Sequence, residues 1–168
     1  TIDWTGPGDA AILHTGAAVT LSSTATDTDG TVAQVKFFVN GESVGIVTTQ
    51  VDNNYTVFWT PPAVGNYDLR AIATDNQGAM TGTTPLISVT SSYLPAISLD
   101  SPLDALVFDA ETVITISSTA TIVDGTIAQV EFFVDGASIG TDTVLDDDIY
   151  EINWTPVAGT YVVHAVAT

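Results

Sequence analysis

The 168-residue chain has no cysteine and only two basic residues, Lys36 and Arg70. Without cysteine, disulfides and thiolate metal sites are excluded, so stability must come from packing, bound ions or both. Nucleic acid is excluded as a partner, because binding to phosphates requires many lysine and arginine side chains. No run of about 18 apolar residues occurs, so we expect no membrane span in this sequence.

Acidic residues, by contrast, are abundant: 20 aspartates and glutamates give the chain a net charge of −18. Such a surface keeps a secreted protein soluble or adapts it to high salt, and it also attracts cations. Clustered carboxylates predict calcium binding, because calcium prefers oxygen ligands. Since 45% of the residues are hydrophobic, the chain is predicted to fold rather than to remain a disordered acidic tail.

A long internal repeat organises the sequence. The segments that recur are Ser23–Gly41 as Ser118–Gly136, Trp59–Pro61 as Trp154–Pro156, and Gly65–Thr74 as Gly159–Thr168. A repeat of this length indicates two copies of one domain rather than short solenoid units. We therefore predict a first domain over residues 1–90, a linker over 91–95 and a second domain over 96–168. The second copy stops before the strand that corresponds to 79–90, and we expect an open sheet edge there.

Apolar and polar residues alternate along most of each copy, which is typical of strands with one buried face. On the clearest strand, Val35, Phe37 and Val39 point to one side. The Asn40-Gly41 pair that follows predicts a tight type I′ hairpin. The predicted strands are 2–5, 17–26, 32–40, 42–49, 55–60, 65–74 and 79–90, then 96–99, 112–121, 126–134, 137–144, 149–155 and 160–168. Many short strands without helical periodicity predict an all-β fold of two tandem immunoglobulin-like β-sandwiches.

The residues that recur also resemble a known family. Its pattern runs through Ala25-Thr-Asp-x-Asp-Gly30, Val35-x-Phe37-x-Val39-x-Gly41, Gly45, Tyr55, Trp59, Gly65-x-Tyr67 and Ala71-x-Ala-x-Asp75-x-x-Gly78. This pattern is similar to that of the bacterial Ig-like domains, which occur as tandem modules in secreted and surface proteins. The resemblance implies a tyrosine corner at Tyr67 and Tyr161. It also implies either stalks of adhesin-type proteins or spacers and accessory modules of secreted polysaccharide-degrading enzymes.

Acidic turns supply the candidate metal site. If successive strands alternate in direction, three turns of the first domain meet at one end. The candidate calcium ligands are Asp27, Asp29, Asp52, Asp75 and Asn76, with Asp124 in the second domain, where Asp146–Asp148 lie nearby. Ile122 replaces Asp27 in the second copy. The alternative is that these side chains cap their turns through hydrogen bonds to the backbone.

The aromatic and basic residues give further expectations. Trp59 and Trp154 are predicted to pack in the two cores. Phe38 and Phe133 are predicted to point to the opposite face from Phe37, where they cover the sheet, contact a neighbouring module or stack on a sugar. Lys36 and Arg70 are expected on that outward face too, and their counterparts Glu131 and His164 are expected to attract each other. Trp4 is expected to contact a preceding module.

Nothing in the sequence indicates catalysis. The two histidines, His14 and His164, lie in no nucleophile motif. A glycosidase would need paired carboxylates in a deep pocket, and small sandwiches rarely have one. We therefore predict no enzyme activity.

The leading functional prediction is a structural one: stalk or spacer repeats of a large secreted or cell-surface, adhesin-type protein, stiffened by calcium. The alternative is a non-catalytic accessory or glycan-binding module of a secreted polysaccharide-degrading enzyme. In either case the expected partners are neighbouring Ig-like repeats of the same chain, together with a cell-surface or polysaccharide ligand.

Overall fold

A computed structural model describes residues 1–144 and 147–168 of the chain. These residues divide into two compact units, Thr1–Tyr93 and Leu94–Thr168. Fifteen strands and the turns between them make up the regular structure of both units. None of the described residues forms a helix long and apolar enough to cross a membrane.

The first unit contains nine strands in two sheets. These are β1 (Ile2–Gly6), β2 (Ile12–His14), β3 (Val19–Ala25), β4 (Val32–Val39), β5 (Glu42–Val47), β6 (Asn54–Trp59), β7 (Gly65–Asp75), β8 (Met80–Gly82) and β9 (Ile87–Ser92). One sheet has the order β1-β3-β6, and the other has the order β2-β9-β7-β4-β5, with β8 paired to β7. All of these pairs are antiparallel except β2 and β9, which run in parallel.

The two sheets bury their facing side chains between them. Phe37 of β4 and Leu69 of β7 are fully buried, and Leu21 of β3 meets them from the other sheet. Trp4 packs edge-on against Phe37, with ring centroids 6.0 Å apart. Strand β1 thus places the partly buried Trp4 ring against the core of its own domain, and the contact with a preceding module stays a prediction.

The second unit repeats this arrangement with six strands in its described residues. These are β10 (Ala96–Ser101), β11 (Ile114–Thr121), β12 (Val130–Val134), β13 (Ala137–Asp142), β14 (Ile149–Trp154) and β15 (Val163–Ala167). Their sheets have the orders β10-β11-β14 and β13-β12-β15. Phe132 of β12, Ile116 of β11 and Tyr150 of β14 are buried in its core.

Matching hairpins connect the central strands of the two units. Asn40 and Gly41 have φ angles of 50° and 81°, and Asp135 and Gly136 have 49° and 80°. Two consecutive left-handed residues are what a type I′ turn requires, so the predicted hairpin is confirmed. A bulge follows in each hairpin, where Phe37 pairs with Gly45 and Phe132 pairs with Gly140.

The predicted fold class is confirmed, with two differences in the strands of the first unit. The closing segment, predicted as one strand over 79–90, forms two strands, β8 and β9, because the regular pairing with β7 is interrupted at residues 83–86. Thr83 still exchanges hydrogen bonds with the backbone of Ala71. Strand β2 was not predicted at all. It is only three residues long and takes its stability from a parallel pair with β9, far away in sequence.

Gly45 should tolerate no side chain. A Cβ added there would lie 2.6 Å from Cγ2 of Val57 on the opposing sheet, although the Gly45 backbone is not in the left-handed region. We expect Gly45→Ala to lower the free energy of unfolding by about 1–3 kcal/mol through overpacking. Denaturant unfolding measures this change.

Gly8→Ala is the matched control, because nothing lies within 4 Å of the added Cβ. Adding Val57→Ala to Gly45→Ala should recover part of the loss. Equal stabilities of Gly45→Ala and Gly8→Ala would contradict the close approach of the two sheets.

Candidate functional site

Two of the three acidic turns of the first unit meet around Gly30. Asn76 donates its backbone N–H to the carbonyl of Thr31, and its Oδ1 accepts from the Thr31 N–H at 3.0 Å. A Cβ added to Gly30 would collide with Asn76 Oδ1 and lie 2.7 Å from Oδ2 of Asp27. The oxygens of Asp27 and Asn76 therefore both lie close to a position that only glycine leaves open.

Two of the side-chain oxygens in this region, Asn76 Oδ1 and Asp75 Oδ1, already accept hydrogen bonds from the backbone. Oδ1 of Asp75 accepts from the N–H groups of Gln77 and Ala79, at 2.8 and 2.9 Å. This is the turn-capping role considered as the alternative to metal binding. Oδ2 of Asp27 differs, because it is buried and has no hydrogen-bond partner in the described structure.

The remaining candidate ligands are less closely gathered. Asp29 and Asp52 are exposed, and Asp52 occupies a tight turn in which it and Asn53 both have positive φ angles. That turn reaches the end of β3 through a hydrogen bond from the Ala25 N–H to the Asn53 carbonyl, 3.1 Å long. Asp124 of the second unit is partly buried. Asp146 lies outside the described residues.

No group of three or more His, Asp or Glu side chains in residues 1–144 and 147–168 is arranged to hold a metal ion. A cation in the first unit would therefore depend on Asp27, the Asn76 amide and backbone oxygens. Calcium binding stays a prediction of the sequence, and a substitution of Asp27 is its most direct test.

Trp59 and Trp154 are partly buried and pack against the two cores, as predicted. Each tryptophan meets a tyrosine edge-on, Tyr67 at 5.0 Å and Tyr161 at 4.8 Å between ring centroids. The Tyr67 hydroxyl donates to the carbonyl of Ala63 at 2.8 Å, and the Tyr161 hydroxyl donates to a carbonyl four residues upstream at 3.0 Å. The tyrosine corners implied by the family resemblance are therefore confirmed.

Phe38 lies on the outward face of its sheet, as predicted, between the only lysine and the only arginine of the chain. The register of β4 against β7 places Arg70 opposite Phe38 and Ile72 opposite Lys36. The ammonium group of Lys36 lies 5.3 Å from the centroid of the Phe38 ring. Both cations of an otherwise acidic protein are thus on this one face.

The corresponding face of the second unit is built differently. His164 lies opposite Phe133 in the register of β12 and β15, and Glu131 lies opposite Val166. The imidazole stacks flat on the Phe133 ring, with centroids 4.7 Å apart and planes at 2°. The predicted pairing of Glu131 with His164 is therefore wrong, because the sheet register sets the histidine against the aromatic ring.

Beside Phe38, the outward face of the first unit carries a groove of about 500 Å³. Its side chains combine three apolar with three polar groups: Phe38, Ile72, Leu86, Asn40, Asp68 and Arg70. The Asn40 Oδ1 accepts a hydrogen bond from the Asp68 N–H at 2.8 Å, which fixes the amide at the end of β4. Sequence analysis placed Phe38 and Arg70 on this face.

Sequence analysis missed the other lining residues. The alternation along β7 predicts that Asp68, two residues before Arg70, lies on the same face of the sheet. Leu86 carries no such pattern, because it lies in the connection between β8 and β9.

The described residues show no catalytic arrangement. His14 is exposed on β2, and His164 is engaged with Phe133. Burial raises the pKa of Tyr55, but this side chain belongs to the core, so the shift reflects packing rather than catalysis. The described structure is that of a pair of immunoglobulin-like modules.

Comparison with known proteins agrees with this class. The pattern of the bacterial Ig domain family matches residues 1–71 and 95–165, and the chain belongs to that family. Over 99 residues the chain is 32% identical to Chitinase ChiA of Flavobacterium johnsoniae. That match covers 56% of this chain but only 6% of the chitinase, so the chain corresponds to a small part of it.

A solved structure supports the same fold. The fibronectin(III)-like modules of Clostridium thermocellum CbhA are similar over 99% of this chain and 85% of theirs, with a TM-score of 0.58 and 27% identity. Domains of these kinds are typically non-catalytic accessory or spacer modules, and they are typical of secreted or surface proteins.

The calcium hypothesis predicts a calcium-specific rise of several degrees in the thermal midpoint, because an ion that binds only the native state stabilises it. Thermal unfolding is followed in millimolar calcium, in magnesium at equal ionic strength and in chelator. Asp27→Asn, which keeps the size of the side chain, should remove the rise.

An equal response to calcium and magnesium would contradict the hypothesis and leave turn capping as the role of these side chains. Asp104→Asn in the second unit, an exposed aspartate outside the acidic turns, is the matched control for loss of one negative charge.

Proposed function

We propose that this chain is a pair of non-catalytic modules from a secreted polysaccharide-degrading enzyme, in which they space and position the catalytic domain. The observation that carries this proposal is the 32% identity to a segment of a chitinase over 99 residues. Because the match covers only 6% of that enzyme, it concerns a module of the chitinase and not its whole length.

The build of the modules supports a spacing role. Each unit has its own core, and a buried side-chain hydrogen bond between two strands of the first unit is repeated in the second. The buried hydroxyl of Ser23 donates to the Asp3 carbonyl at 2.8 Å, and Ser118 donates to the Ser98 carbonyl at 2.7 Å. Repeated buried hydrogen bonds favour a rigid module.

The acidic surface fits the same role. A net charge of −18 keeps a secreted protein soluble and reduces self-association. We therefore propose an extracellular or cell-surface location. The adhesin-type stalk, the leading prediction from the sequence, would also consist of tandem modules of this kind. The following experiment distinguishes it from the enzyme module.

The test uses the full-length parent protein and a variant from which residues 1–168 have been deleted. We expect the parent to hydrolyse a polysaccharide, with soluble glycol chitin and insoluble chitin as the first substrates. The deletion should leave hydrolysis of the soluble substrate unchanged and lower that of the insoluble one, because positioning matters only at a surface. The 168-residue chain alone should hydrolyse neither.

A second variant replaces residues 1–168 with an unstructured Gly/Ser linker of the same length. It separates the loss of rigid spacing from the loss of mere chain length. The proposal would be contradicted if the parent protein had no hydrolase activity and if the deletion reduced the attachment of cells to surfaces. That outcome would favour the stalk.

A further inference from the structure

We propose that the groove beside Phe38 on the first unit is a binding site for a neutral saccharide. This inference rests on the proposed function, since it names a ligand for the accessory module. The groove is about 500 Å³ in volume, which is within the range of sites for small ligands.

The polar side chains of the groove suit hydroxyl groups. The Asp68 carboxylate accepts hydrogen bonds from hydroxyls, and the Arg70 guanidinium donates to them. Asn40 adds an amide whose Oδ1 is held by the Asp68 N–H, so its NH₂ group remains available to donate. A sugar hydroxyl both donates and accepts hydrogen bonds, and these three side chains provide an acceptor and donors for it.

The apolar side chains suit the C–H faces of a sugar ring. Leu86 is 51% exposed, and Ile72 and Phe38 are partly buried beside it. Because the Lys36 ammonium lies over the Phe38 ring, we expect the sugar ring to contact Leu86 and Ile72 as well as Phe38. Small-ligand sites are usually grooves or clefts that combine apolar side chains with a few convergent polar groups.

Charge favours a neutral ligand over an anionic one. The groove itself contains one carboxylate and one guanidinium, which offset each other. The chain as a whole has a net charge of −18, so an anionic polysaccharide would approach against the field of the protein.

The Arg70 side chain lies against strand β8. A Cβ added to Gly82 would lie 2.6 Å from Nη2 and 3.0 Å from Nε of Arg70. The guanidinium therefore lies against the backbone of β8, and a side chain at position 82 would displace it. Gly82 is thus a positioning residue for this groove.

The second unit provides a natural comparison. It keeps the aromatic residue as Phe133 but has Asp135, Val162 and His164 in place of Asn40, Asp68 and Arg70. The local structure is nevertheless the same, because Asp135 Oδ1 accepts from the Val162 N–H at 2.8 Å. Transplanting these residues into the first unit should therefore remove the Asp68 carboxylate, the Arg70 guanidinium and the Asn40 amide and keep the fold.

The experiment is affinity gel electrophoresis of the full 168-residue chain in gels that contain one polysaccharide each. The neutral probes are glycol chitin, hydroxyethylcellulose, xyloglucan and galactomannan, and polygalacturonate is the anionic probe. We expect at least one neutral polysaccharide to retard the wild-type chain. The retardation should persist at high salt, because the ligand carries no charge.

The variant Asn40→Asp/Asp68→Val/Arg70→His should bind at least about tenfold more weakly, since it loses hydrogen bonds made by charged groups. Gly82→Ala should weaken binding severalfold while every lining side chain remains. Phe133→Ala in the second unit should leave the affinity unchanged, whereas Phe38→Ala should lower it. Thermal unfolding of each variant shows whether it is folded, and Gly82→Ala serves as the test if the triple variant is not.

Three results would overturn the inference. One is no retardation by any neutral probe, and another is equal retardation of the wild-type chain and the triple variant. The third is retardation by polygalacturonate alone that disappears at high salt, which would indicate an anion site instead. None of these results bears on the deletion experiment with the parent protein, so a failure of this site and a failure of the spacing role are distinguishable.

Discussion

The burial of Phe37 between the two sheets of the first unit is the contact on which the rest of that unit depends. Phe37 is fully buried, and it pairs with Ala71 on β7 and with Gly45 on β5. Because successive side chains of a strand point to opposite faces, a slip of one residue would bring Lys36 and Phe38 inward. The cost of burying that lysine fixes the register, and the register decides which residues form the outward face.

The two units share what holds the fold and differ in what they present outward. Phe132 repeats the role of Phe37, and Gly140 repeats the close approach of Gly45 to the opposing sheet. On the outward face, by contrast, the stacked His164 replaces the arginine that lies along β8 in the first unit. Since an outward side chain contributes little to the core, it can change without loss of the fold, and binding properties can diverge there between copies of one module.

The acidic turns illustrate how one residue type serves two purposes. Asp75 caps its own turn through two backbone N–H groups, and Asn76 joins that turn to Thr31. Such bonds fix the loops at one end of the sandwich without any ion. Asp27 stands apart because one of its oxygens is buried without a partner, a state that costs free energy unless something offsets it.

The sequence by itself determined the all-β fold and the strands of the core, whereas the paired tyrosine corners were implied by the family resemblance. These features depend on local alternation, on turn chemistry such as Asn40-Gly41, and on a pattern that occurs twice. Only the tertiary structure decided the parallel pair of β2 with β9, the division of the closing segment, and the groove beside Phe38. Gly82 meets Arg70 through the pairing of β8 with β7, and Leu86 lies in the connection between β8 and β9. Neither position belongs to an alternating pattern from which its place beside the groove could be predicted. His164 likewise stacks on Phe133 instead of pairing with Glu131, because the register of β12 and β15 places these two residues opposite each other. Burial of the inward side chains sets this register, and the register then determines which outward side chains are neighbours.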